Sequence, residues 1–179
     1  MSKPALQTLT IAGRTLSLKG YKSVSWMSEE TVCFTATVLI DGKIVGEANN
    51  EGNGGCTWIR FSSPAAESYA NEFAKAAKAA DFGWPCDEMK PSDLVDILVE
   101  KIDVQKQEEK IVKKIRTKAA KEMHWVKTGS PKGEYYSLKK PLASGHPAEK
   151  LAALVKAKPD FKAFVTDLTD AEILAHFAS

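Results

Sequence analysis

The chain has 179 residues, 44% hydrophobic and 27% charged, with a net charge of +2. A chain of this length buries about 70% of its unfolded surface, so it needs no staples to hold a core. The near-neutral balance carries no global polyanion signal, and Cys33, Cys56 and Cys86 are too few and too widely spaced for a disulfide framework or a CxxC metal motif.

The opening residues, MSKPALQTLTIAG, lack the long apolar region of a signal peptide, and no run of ~18 apolar residues occurs. Together with the unpaired cysteines this predicts a reducing, cytoplasmic setting with no membrane partner. Leu6–Leu18 reads as two short strands about a turn at Gly13-Arg14, and SVSWM (23–27) as another strand. The clearest period-two signal is TVCFTATVLI (31–40). There Val32, Phe34, Ala36, Val38 and Ile40 share one parity, as a half-buried strand requires. Asp41-Gly42 then marks a hairpin. A two-residue loop pairs Val38 with Val45 but sets Glu47 opposite Ala36 on the apolar face. A three-residue loop with a glycine bulge pairs Val38 with Ile44, Ala36 with Gly46 and Phe34 with Ala48, keeping that face apolar, and is the expected register.

CTWIRF (56–61) reads as the next strand. Ser62 or Ser63 caps a helix that has Pro64 at its first position and runs to about Ala80. Tyr69, Phe73, Ala76 and Ala77 or Ala80 form its inner face. DFGWPCDEMKP (81–91) breaks it. The longest helix begins at Pro91-Ser92 and runs to about Lys121, with Val95, Leu98 and Ile102, then Val112, Ile115 and Ala119, facing inward. Its middle, QKQEEK, is polar all round, where the helix is expected to kink, split or project. EMHWVKT and EYYSLKK flank the breaker-rich GSPKG as a second hairpin. A short helix follows Pro147, FKAFVT reads as a strand, and Thr169 caps the last helix. Strands, helices, hairpin and helices in that order make an α+β fold. An antiparallel N-terminal sheet is packed by two helices, and a C-terminal hairpin-helix unit follows. The expected division is 1–121 and 122–179, packed on one body.

The least ordinary stretch is NNEGNGGCTW (49–58). No lysine follows its glycines and a strand, not a helix, comes next, which excludes a Walker loop and a dinucleotide fingerprint. As a plain connection it uses Asn and Gly for positive φ. As a functional loop, Asn49, Asn50, Glu51, Asn53, Gly54 and Gly55 offer a ligand or a partner close approach. Cys56 opens a strand rather than a helix, so no dipole activates it, and it reads as a packed thiol. His124, His146 and His176 form no HxH, HxxxH or HExxH pattern, and adjacent Glu29 and Glu30 point to opposite faces of a strand. No catalytic residue, metal or cofactor is therefore predicted.

One electrostatic feature is concentrated. KIVKKIRTKAAK places Lys110, Lys113, Lys114, Arg116, Lys118 and Lys121 on three turns without an acid. Lys110, Lys114, Lys118 and Lys121 share a face by spacing. Lys127, Lys132, Lys139 and Lys140 lie nearby, with His124, Trp125, Tyr135 and Tyr136 between them. Basic groups attract phosphates and aromatics stack bases. The plainer reading is a solvated face whose cations suit a helix C-terminus.

SEETVCFTATVLIDGKIVGEANNEGNGGC, Ser28–Cys56, resembles the N-terminal hairpin of small proteins encoded by bacteriophages and mobile elements. The shared features are the SEET entry, the apolar strand, DGK, VG and the Asn/Gly run ending in GGC, over roughly a sixth of the chain. The resemblance implies a bacterial host cell and a protein that binds or inhibits a host factor, such as a defence protein or its small nucleotide signal; with no titratable pair at a catalytic spacing, the expected function is non-enzymatic binding. Self-association is compatible with it. The alternatives are a nucleic-acid-binding accessory protein using the basic helix and an enzyme of unknown chemistry.

Overall fold

In the computed structural model the described residues are 8–79, 88–138 and 148–178, with side chains for all but 79 and 148–151. Ala80, Cys86, Lys139, Lys140 and His146 lie outside them. The chain is α+β and divides into two compact units, Met1–Asp103 and Val104–Ser179. That division falls inside the longest helix, whereas the sequence reading draws it at the helix end.

In the first unit, β1 (Thr8–Ile11), β2 (Arg14–Ser23), β3 (Phe34–Ile40), β4 (Lys43–Asn50) and β5 (Trp58–Phe61) form one antiparallel sheet in chain order. Alternation sorts its side chains. Leu9, Ile11, Leu16, Leu18, Phe34, Ala36, Val38, Ile40, Val45 and Ala48 turn inward. Against them pack Ala70, Phe73, Ala74 and Ala77 of α1 (Pro64–Ala79) and Leu94, Val95 and Leu98 of α2 (Pro91–Ala119). The helix starts follow their caps. The Ser63 hydroxyl accepts the Ala66 amide at 3.1 Å, and the Asp93 carboxylate accepts the Lys90 amide at 2.8 Å.

Three local expectations are corrected. SVSWM is not a strand: β2 already ends at Ser23 and a 3₁₀ turn occupies Ser25–Met27. The Ser28 hydroxyl holds that turn, donating to the Val24 carbonyl and accepting the Cys33 amide, each at 2.9 Å. The expected hairpin register does not form. Asp41 (φ 50) and Gly42 (φ 76) make a two-residue turn that pairs Ile40 with Lys43. A bulge then inserts Val45, so Val38 faces Gly46, Ala36 faces Ala48 and Phe34 faces Asn50. The bulge within the strand meets both demands, the tight Asp-Gly turn and an apolar inner face. On α1 the buried stripe is Ala70, Phe73, Ala74 and Ala77, while Tyr69 stays at the rim because its hydroxyl donates to Asp41 at 2.8 Å.

The second unit holds the end of α2, β6 (Met123–Lys127), β7 (Tyr136–Leu138), α3 (Ala148–Lys156), β8 (Phe161–Phe164) and α4 (Asp170–Phe177). The strands pair antiparallel in the order β7-β6-β8. Neighbours on β6 serve opposite faces. Val126 joins Ala119, Val165, Leu168 and Ile173 on the side of α2 and α4, and Trp125 joins Val155 of α3 and Phe164 on the other. Thr169 and Glu172 close a capping box at the start of α4.

Candidate functional site

Two loops meet at one end of the first sheet. One is Val24–Cys33, between β2 and β3; the other is the Asn/Gly stretch between β4 and β5. Asn50 sits between them, 6% exposed. Its side-chain oxygen accepts the Thr31 hydroxyl at 2.9 Å and the Gly52 amide at 2.8 Å. Its amide nitrogen donates to the Gly55 carbonyl at 2.9 Å and the Thr57 hydroxyl at 3.2 Å. That is every bond such a side chain ordinarily makes. The Gly52 carbonyl in turn accepts the amides of Glu29, Glu30 and Thr31 at 3.0, 3.1 and 3.3 Å. Gly52 has φ +88, and a Cβ there would collide with the Met27 carbonyl. The Thr57 hydroxyl in turn donates to the Asp96 carboxylate of α2. Burial pushes the Asp96 carboxyl above the usual carboxylate range, and that bond partly offsets the effect.

The residues expected as a binding loop therefore split. Asn50 is interior and structural. Glu51, Asn53, Gly54 and Gly55 stay exposed along the loop, and Asn49 is exposed on the outer sheet face opposite Trp58. Cys56 is exposed rather than packed, because the loop ends with its side chain outside the core. Sequence reasoning missed two residues here. Trp26, on the 3₁₀ turn, is 82% exposed, and Trp58, the first residue of β5, is 74% exposed. The available signal was a tryptophan beside each polar stretch, Trp26 just before SEET (28–31) and Trp58 just after the Asn/Gly run. Glu29, Glu30 and Glu51 are exposed on the same two loops.

The basic set on α2 also divides. All six side chains are exposed, but Arg116 ties α2 to the start of α4, donating to the Asp170 carboxylate and the Leu168 carbonyl, each at 3.0 Å. Lys121 lies just past the helix end. Among the described residues, no carboxylate is ion-paired with Lys110, Lys113, Lys114, Lys118 or Lys121. The aromatic neighbours do not serve as expected. His124 and Trp125 are buried, His124 under the Tyr135 ring and Trp125 against Val155 and Phe164. Tyr136 is the exposed one, with the Lys127 ammonium 4.2 Å from its ring centre.

Among the described residues, no three His, Cys, Asp or Glu side chains gather to hold a metal ion. His124 is engaged by Glu122 at 3.1 Å and His176 by the Glu134 carbonyl at 2.7 Å. No described helix is long and apolar enough to cross a membrane. Compared with known proteins, the chain matches no family model, no curated protein and no solved structure.

Proposed function

We propose that this chain is a non-enzymatic binding protein that captures a host protein through the paired loops at the end of its first sheet. One observation carries the reading: Trp26 on the 3₁₀ turn and Trp58 at the start of β5 stand exposed next to loops that Asn50 and Gly52 lock internally. Large aromatics on a pre-ordered surface bind strongly, because little conformational entropy is lost on association. A purely structural turn has no use for two solvated indoles. Glu29, Glu30 and Glu51, exposed on the same two loops, supply polar groups of the kind that rim interface anchors. The phage or mobile-element origin, the bacterial cytoplasm and the antagonism of a host factor rest on the resemblance of Ser28–Cys56.

Native mass spectrometry of the protein purified from its bacterial host tests this reading. The wild-type chain should retain a stoichiometric host protein, and the Trp26→Ala, Trp58→Ala double variant should fold normally and lose it. Retention of the same partner by the folded double variant would overturn the proposal.

A second reading places nucleic acid or another polyanion on the end of α2. It is supported by the five exposed lysines that no described carboxylate pairs.

A further inference from the structure

A cleft of about 770 Å³ runs along the outer edge of β5. β5 forms one wall; Asn71, Lys75 and Lys78 of α1 and the segment Glu88–Ser92 leading into α2 form the others. Among the described residues, no strand pairs with β5 on that side.

The register says which backbone groups face the cleft. The Ser62 amide donates to the Val45 carbonyl at 2.9 Å, continuing the ladder that sets Phe61 opposite Gly46 and Ile59 opposite Ala48. Hydrogen-bonded and non-bonded pairs alternate in an antiparallel ladder. Ser62, Arg60 and Trp58 therefore bond to β4, and the amides and carbonyls of Ile59 and Phe61 point outward. The close fit of Gly46 agrees, since a Cβ there would lie 2.5 Å from the Arg60 carbonyl and 3.0 Å from the Phe61 Cα, as expected at a closely spaced non-bonded pair. Both outward residues line the cleft.

We propose that this edge accepts an extended acidic segment of a partner protein as a sixth strand. The Ile59 and Phe61 backbone groups supply main-chain pairing. Charge selects the occupant: among the described lining residues Lys75 and Lys90 are exposed, against Glu88. Added side chains alternate, one set meeting those lysines beside Met89 and the other lying next to Trp58 and Arg60 on the outer face. A second copy of this chain pairing β5 to β5 would set the same lysines against each other. The site shares Trp58 with the paired-loop surface but not Trp26, so a change at Trp26 tells the two apart.

The probes are an alternating Glu–Val octapeptide, its Lys–Val counterpart, and the Glu–Val peptide N-methylated at alternate amides. The Glu–Val peptide should bind in a salt-sensitive way and slow hydrogen exchange at Ile59 and Phe61 by about tenfold or more. N-methylation should abolish this, and the Lys75→Glu, Lys90→Glu variant should exchange the preference to the Lys–Val peptide. Four results would overturn the proposal: Ile59 and Phe61 amides already protected in the free protein, equal binding of both peptides, indifference to N-methylation, or dimerisation in place of peptide binding. Trp26→Ala should leave the peptide response unchanged, which separates this site from the paired loops.

Discussion

At the scale of single residues, polar groups hold the turns of the first unit. Asn50 is the strongest case. Truncation to alanine removes four hydrogen bonds and leaves buried partners without replacement. Asn50→Ala should therefore cost about 2–3 kcal/mol in chemical denaturation, while Asn53→Ala, at an exposed loop position, should stay within about 0.5 kcal/mol. Equal effects would mean that Asn50 does not organise the loop. Asp41 is the second case. Its carboxylate accepts the Thr15 amide at 2.8 Å, Arg14 at 2.9 Å and Tyr69 at 2.8 Å. These bonds, the Thr15 amide first among them, lower its pKa to about 2. An unfolded aspartate titrates near ~3.9. The stabilisation is thus fully present above that value and is lost as pH falls towards 2. Asn suits the positive-φ turn position, so Asp41→Asn should isolate the charge. The stability gap between wild type and variant should be constant above about pH 5 and close between roughly pH 4 and 2. A gap that persists unchanged at pH 2 would rule out the carboxylate as its source.

At the scale of elements, α2 does two jobs with one continuous helix. Leu94, Val95 and Leu98 are buried in the first core, whereas Val112, Ile115 and Ala119 pack in the second unit. The polar stretch between them contributes to neither cluster. The end of the helix and the residues just past it carry the lysines, and among the described residues Arg116 is the one of the six cations whose side chain is drawn into a structural bond. If that face takes a polyanion, affinity for a DNA or RNA oligomer falls steeply with salt, with a slope near one per phosphate contacted. Lys114→Gln with Lys118→Gln should then weaken binding evenly across sequences and flatten the slope by up to about two. Circular dichroism should show the helix intact, since glutamine and lysine have similar helix propensity. Oligomer binding that ignores both changes would remove this face from consideration.

At the scale of the whole molecule, each compact unit has its own buried residues. The first is built around Phe34, Phe73, Val95 and Leu98, the second around Val126, Val165 and Ile173, with Trp125 and Phe164 on the far side of β6. Leu98 and Ile173 are both fully buried. Leu98→Ala and Ile173→Ala should each cost about 2–5 kcal/mol through lost burial and the cavity left behind. Because the clusters share no residue, each change should lower amide-exchange protection chiefly in its own unit. Leu98→Ala should loosen β2–β4 more than β6, and Ile173→Ala the reverse. Equal loss in both units would mean that they unfold as one cooperative block.

Features specified by neighbours along the chain were legible in the sequence. Alternation marked β3, and the breaker-rich GSPKG marked the hairpin of β6 and β7; Pro64 with Ser63, Pro91 and Thr169 marked helix starts; Asp41-Gly42 marked a hairpin, though not its register. Each follows from local sterics or from a hydrogen bond spanning a few residues, which any such segment carries wherever it folds. The basic run was equally visible, being a property of composition. What tertiary structure decided were the outcomes of competition between distant segments. The bulge at Val45 exists because a two-residue turn and an apolar inner face cannot share an unbroken register. Asn50 becomes interior only because Val24–Cys33 packs over it, and nothing in residues 49–58 encodes that loop's arrival. His124 and Trp125 left the basic surface because the Tyr135 ring covers one and Val155 of α3 with Phe164 covers the other. The exposure of Trp26 and Trp58 and the open edge of β5 are likewise matters of which surfaces other elements cover, and burial is a property of the assembled chain rather than of any residue in it.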